Sequence, residues 1–245
     1  MGTRLVHIIV SANDPGRLAR FWAAALGWEV AEETPDEVDV WPAGFSYPAP
    51  AALPLVFVPV QEPKTGQNRV HLDLASRTVQ EQRDTVRRLL ALGATPADIG
   101  QGDVPWTVLA DPEGNEFCVL EPRPVYADAG PVAAVVTGCA DSAALAGFWE
   151  RAAGFTRVES ADGFESLRSP AGTGPFLELL WVPGAKAVKN RLHLDLAPQA
   201  DDDQAGAVTA LRAAGATLAD IGQGDVTWTV LADPEGNEFC VLTPR

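Results

Sequence analysis

The chain has 245 residues, 47% apolar and 21% charged, which is enough greasy side chain for packed cores and too much for a disordered polymer. Eighteen Lys and Arg against 33 Asp and Glu leave a formal charge of −15, which repels phosphate backbones and anionic lipid alike and argues against nucleic-acid or membrane partners. Three cysteines (Cys118, Cys139, Cys240) without a CxxC spacing indicate neither a disulfide framework nor a zinc knuckle, and no apolar run approaches a membrane span, so a cytoplasmic protein is expected.

The first predicted element is a strand, Leu5-Val6-His7-Ile8-Ile9-Val10. A helix follows, with Asp14 as cap, Pro15 at its first position, and Leu18, Phe21, Trp22, Ala25 and Leu26 at the spacing of one apolar face. Next comes an aromatic, proline-rich stretch from Val40 to Pro50, too long for a hairpin turn. Its Trp41, Phe45 and Tyr47 are candidate ligand-stacking residues, with irregular edge packing as the plainer alternative. A second strand pattern, Arg69-Val70-His71-Leu72-Asp73-Leu74, precedes a helix opened by Thr78 and Glu81 and closed by Gly93. Two strands, Trp106–Ala110 and Glu116–Leu120, then flank the turn Asp111-Pro112-Glu113-Gly114-Asn115.

The whole series then recurs. Residues 99–120 reappear as 221–242 with a single difference, Pro105 against Thr227, and Asn68-Arg69-Val70-His71-Leu72-Asp73-Leu74 reappears as Asn190-Arg191-Leu192-His193-Leu194-Asp195-Leu196. The third helix offers Leu145, Phe148, Trp149 and Ala152 after Asp141-Ser142; the fourth offers Val208 and Leu211 before Gly215. A weaker likeness relates the two units inside each half. The chain therefore divides into residues 1–123, a proline-rich linker at 124–130, and residues 131–245, with four strand–helix–strands units in all. Such units build curved mixed sheets with helices outside and a concave face free for a ligand.

All three histidines (His7, His71, His193) fall in first-strand patterns. Alternation puts His71 and Asp73 on the face opposite Val70, Leu72 and Leu74, so the histidines turn towards the hollow when the apolar face takes the helices. Glu116 and Glu238, opening the last strand of each half, point the same way. Two imidazoles and one carboxylate can hold a divalent ion with open positions left for a substrate. Satisfied core histidines and a solvated strand-end carboxylate are the alternative. Cys118 shares the face of Glu116, and Trp106 starts the neighbouring strand; both are candidate pocket residues, with core packing as the plainer reading. Gly100-Gln101-Gly102 lacks the third glycine of a dinucleotide loop, and no Walker or nucleophile-elbow spacing occurs.

The paired runs Asn-Arg-x-His-Leu-Asp-Leu and Leu-Ala-Asp-Pro-Glu-Gly-Asn-Glu-Phe-Cys resemble those of the vicinal oxygen chelate superfamily, the glyoxalase and bleomycin-resistance fold, over nearly the whole chain. The resemblance implies an α+β protein of four βαβββ modules. It implies metal ligands His7, His71 and Glu116 in the first half, with Glu116 also at the chemistry, and a divalent Fe, Mn, Ni or Zn ion as cofactor. In the second half Ala134 stands where His7 would be, leaving His193 and Glu238; Glu178 either completes a different set or this half lacks a site. The implied function is a metal-dependent lyase, isomerase or dioxygenase acting on a small oxygen-bearing molecule. A metal-free, bleomycin-resistance-like binding protein is the alternative, and either would work as a pseudo-symmetric monomer or a homodimer.

Overall fold

The structure is a computed structural model that describes residues 2–47, 49 and 51–245. Met1, Pro48 and Pro50 lie outside the described residues, so the prolines that end the aromatic stretch are not placed. Four modules follow one another. The first is β1 (Thr3–Ala12), α1 (Pro15–Leu26), β2 (Glu29–Glu33), β3 (Val38–Trp41) and β4 (Leu55–Pro59). The second is β5 (Val70–Leu74), α2 (Val79–Ala91), β6 (Thr95–Pro96), β7 (Thr107–Ala110) and β8 (Glu116–Val119). The third is β9 (Val132–Cys139), α3 (Ser142–Ala153), β10 (Thr156–Ala161), β11 (Phe164–Arg168) and β12 (Phe176–Trp181). The fourth is β13 (Leu192–Pro198), α4 (Gln204–Ala213), β14 (Thr217–Leu218), β15 (Thr229–Ala232) and β16 (Glu238–Val241).

The helices begin and end where local chemistry directs. Asp14 accepts from the Arg17 amide at the start of α1, Pro15 takes the first turn, and Gly27 at φ 68° ends the helix in a left-handed conformation a side chain would strain. Thr78 caps α2 through the Glu81 amide, but the Glu81 carboxylate reaches one residue further back than a capping box requires, to the Arg77 amide. The buried faces of α1 and α3 then lock onto the sheets through matched aromatic clusters. Trp22 meets Phe117 at 5.0 Å between ring centroids, and Trp149 meets Phe239 at 5.5 Å.

The sheets do not follow the sequence halves. One eight-stranded sheet runs β14-β15-β16-β13-β1-β4-β3-β2 and joins the first module to the fourth; the other runs β10-β11-β12-β9-β5-β8-β7-β6 and joins the second to the third. In both, the first strands of two modules meet antiparallel at the centre, β1 on β13 and β5 on β9. Leu72, Leu74, Phe117, Val119, Leu194, Leu196 and Phe239 turn to the helices and form the main core. The opposite, concave faces make two cups.

The two cups differ in their cover. The cup of the first sheet encloses about 1480 Å³. In the other, the linker turns through a short 3-10 helix, Pro124–Tyr126, and drives Tyr126 among Cys118, Ala134, Val136 and Phe176. The Tyr126 ring lies edge-on to Phe176 at 5.4 Å, and its hydroxyl donates to Glu178 Oε1 at 2.7 Å.

Candidate functional site

The floor of the open cup is built by adjacent strands in register. A shift between Leu5 and His7 leaves Val6 out of the ladder and sets His7 opposite Asp195, while Asp195 stands beside Cys240 on the next strand. His193, two residues before Asp195, shares its face. His7 Nε2 lies 2.8 Å from Asp195 Oδ2, His193 Nε2 lies 3.5 Å from Asp195 Oδ1 and 3.5 Å from Cys240 Sγ, and Tyr47 Oη lies 3.3 Å from His7 Nδ1. Among the described residues, Asp195 Oδ1 and His193 Nδ1 are buried without a hydrogen-bond partner.

The electrostatics are uneven across this group. Burial lowers the His193 pKa and keeps its ring neutral. Burial works against the Asp195 charge, yet the hydrogen bond and charge of His7 hold its carboxyl below the usual range. Burial, then the Asp195 carboxylate, push the Cys240 thiol up, so it holds its proton until something replaces it. Tyr47 is pushed up to about 12 by burial, so its hydroxyl is a donor at neutral pH. The ionised Asp195 carboxylate can only accept, so His7 Nε2–H donates to Oδ2, and Nδ1 is left to pair with the Tyr47 hydroxyl.

The donor set fits a metal ion. Bonds of about 2.0–2.3 Å to N, O and S at tetrahedral angles separate neighbouring donors by about 3.3–3.6 Å. The two 3.5 Å separations from His193 Nε2 fall in that span. One donor atom each from His193, Asp195 and Cys240 lies within 4.8 Å of the others. Three protein donors at the bottom of an open hollow leave a further position for a small molecule.

A glyoxalase-like domain profile matches residues 7–120 and again residues 134–242. The chain belongs to the glyoxalase-like domain family. Glyoxalase I from Zea mays is similar in structure, with a TM-score of 0.69 at 15% identity over 99% of this chain and 92% of that one. A putative dioxygenase from Bacillus subtilis has a TM-score of 0.63 at 14% identity over 98% of this chain and 84% of that one. At such identities the likeness is one of fold. No curated protein sequence matches the chain.

In this glyoxalase-like protein the expected trio His7, His71 and Glu116 does not converge. His7 lies on the first sheet and the other two on the second, because each sheet draws one module from each half. Glu116 is also engaged elsewhere: Lys64 Nζ lies 2.8 Å from its Oε1, and the Asn68 amide donates to its Oε2. Glu238 is tied the same way, by Lys186 at 2.6 Å and the Asn190 amide. Glu178 faces the covered cup and is held by Tyr126, so it shares no site with His193 or Glu238.

The pocket candidates divide likewise. Trp41 and Tyr47 line the open cup, and Phe45 braces both, stacked on Trp41 at 5.8 Å and edge-on to Tyr47 at 5.0 Å. Trp106 and Cys118 belong to the covered cup, where Arg123, just before the linker, lies over the Trp106 ring. Trp228, the repeat of Trp106, lines the open cup instead. The residues that sequence reasoning passed over are Asp195 and Cys240. The signal for them was present, since His and Asp alternate onto one face in His-Leu-Asp-Leu, and the cysteine recurs two residues after each strand-opening glutamate.

Proposed function

We propose that the open cup is the active site of a divalent-metal enzyme acting on a small oxygen-bearing organic molecule, with His193, Asp195 and Cys240 as the metal ligands. The observation that carries this reading is the pair of donor distances at 3.5 Å around His193 Nε2, with Asp195 Oδ1 buried and unpartnered beside it. An imidazole, a carboxylate and a thiol suit Zn(II) or Fe(II) better than a hard ion. When bound, the metal would polarise an adjacent substrate oxygen and stabilise negative charge developing on it.

The chain's own residues supply the rest. His7 holds Asp195 by Oδ2, which orients Oδ1 towards His193 as an outer partner orients a ligand. Tyr47, about a third exposed, presents its hydroxyl between His7 and the hollow, where it can meet a substrate oxygen. Trp41 and Trp228 give flat apolar walls that exclude water from a bound organic body.

The test is metal content and thermal shift after reconstitution with Zn, Fe(II), Mn or Ni. His193→Ala and Cys240→Ser are expected each to lose one equivalent of metal and the accompanying shift, while Trp41→Ala keeps both. Equal metal content and equal shifts in wild type and both ligand variants would remove the reading. Metal-free ligand capture is the competing reading, favoured by the braced aromatic wall Trp41-Phe45-Tyr47. It requires Trp41→Ala to abolish small-molecule binding that His193→Ala leaves intact.

A further inference from the structure

The second cup carries the same three donors in the same register. Asp73 lies beside Cys118 on the neighbouring strand, and His71 Nε2 stands 3.4 Å from Asp73 Oδ1. One donor atom from each of His71, Asp73 and Cys118 lies within 4.8 Å of the others. We propose that this covered cup holds a second, structural divalent metal ion of the thiolate-accepting class, such as Zn(II), on His71 Nε2, Asp73 Oδ1 and Cys118 Sγ. It is a site separate from the open cup and rests on the same donor chemistry.

Asp73 is the independent observation. The residue is only 7% exposed, and among the described residues its Oδ1 is buried without a hydrogen-bond partner. Asp195 Oδ1 in the first cup has no partner either, and Asp73 in addition lacks the neighbour that holds Asp195 by its other oxygen. The register sets Ala134 opposite Asp73, where the first sheet sets His7 opposite Asp195. No imidazole crosses the strands to balance this carboxylate. Leaving a buried carboxylate oxygen unpaired destabilises the fold, and a bound cation removes that cost. The strands flanking the trio have diverged, with Ala134 for His7 and Glu178 for Val56, yet the trio itself is the same in both cups.

The linker decides the role. Tyr126 and Ala129 share one packed cluster with Cys118, Ala134 and Val136, so the linker takes up space that an organic substrate would need above the ion. Metal uptake would exchange the Cys118 S–H bond for a sulfur–metal bond and release one proton to solvent. The ion would then staple β5 to β8 beneath the linker.

The experiment takes the full chain, stripped by chelator, and titrates it with Co(II). Thiolate-to-cobalt absorbance and elemental analysis are the readouts. Two equivalents are expected, one lost in Cys118→Ser and the other in Cys240→Ser. Chelator should remove cobalt in a fast and a slow phase, and Tyr126→Ala should merge the two by uncovering the second site. If Cys118→Ser fails to fold, His71→Ala, at a partly exposed position, is expected to lose the same equivalent. A single equivalent sensitive to Cys240→Ser and indifferent to Cys118→Ser and His71→Ala overturns this inference and leaves the open cup standing. A single equivalent with the reverse pattern overturns the open cup instead, and no bound cobalt overturns both.

Discussion

Glu178 is a buried carboxylate. Burial, largest of the influences, pushes its pKa from 4.5 up to about 7, and the Tyr126 hydrogen bond offsets this only in part. The folded state thus binds the Glu178 proton more tightly than the unfolded chain does. Its stabilising effect is full below about pH 4.5 and is lost as pH rises through about 7. At 1.36 kcal/mol per unit, the loss by pH 8 is on the order of 3 kcal/mol. Glu178→Gln keeps an acceptor for Tyr126 and removes the titration. Denaturant curves should therefore show the variant matching wild type near pH 5 and exceeding it by roughly 2–3 kcal/mol at pH 8; a gap that stays constant with pH would contradict the assignment.

Among the elements, the turn between β7 and β8 carries more than a change of direction. Asp111 Oδ1 accepts from the Glu113 and Asn115 amides and fixes the loop. The Glu113 carboxylate, held outward by that loop, accepts from the Asn13 and Asp14 amides at the start of α1 and pairs with Arg191 at 2.8 Å. One side chain thus ties the second module to the first and the fourth. Its repeat, Glu235, meets the Ala140 and Asp141 amides and lies 3.8 Å from Arg69. Hydrogen bonds to a charged group contribute about 1.5–3 kcal/mol, and Glu113→Ala also strands a nearly buried guanidinium. We expect a loss of about 3 kcal/mol by chemical denaturation, with Glu113→Gln losing less; a cost under about 0.5 kcal/mol would show the contact to be idle. The hairpin was legible in the sequence because Pro, Gly and Asn dictate a turn locally. The reach of Glu113 was not, since its partners are brought up by tertiary packing alone.

At the scale of the molecule, the four modules and their concave faces were readable from internal repetition and strand alternation, and the pairing of the modules was not. β5 and β13 carry the same alternation, Val70-His71-Leu72-Asp73-Leu74 and Leu192-His193-Leu194-Asp195-Leu196, so β1 has the local chemistry to pair with β5 as well as with β13. Duplication made the competing partners nearly identical. The candidate metal trio failed for that reason: it took His7, His71 and Glu116 from one half, whereas the sheet brings His7 to Asp195 across the chain. The pairing has a direct consequence for autonomy. In residues 1–130 alone, β1 and β5 would each lose the antiparallel neighbour that satisfies their backbone groups and covers their apolar side chains. Residues 131–245 would lose the same at β9 and β13. Neither half is therefore expected to give a folded monomer. Expressed together, they should associate one to one, with a single cooperative melting transition near that of the intact chain. Size-exclusion chromatography with calorimetry on each half and on the mixture checks this. A half that runs as a monomer and melts cooperatively by itself would mean that β1 can close on β5, and the open cup, with its His7–Asp195 contact, would not be the arrangement the sequence enforces.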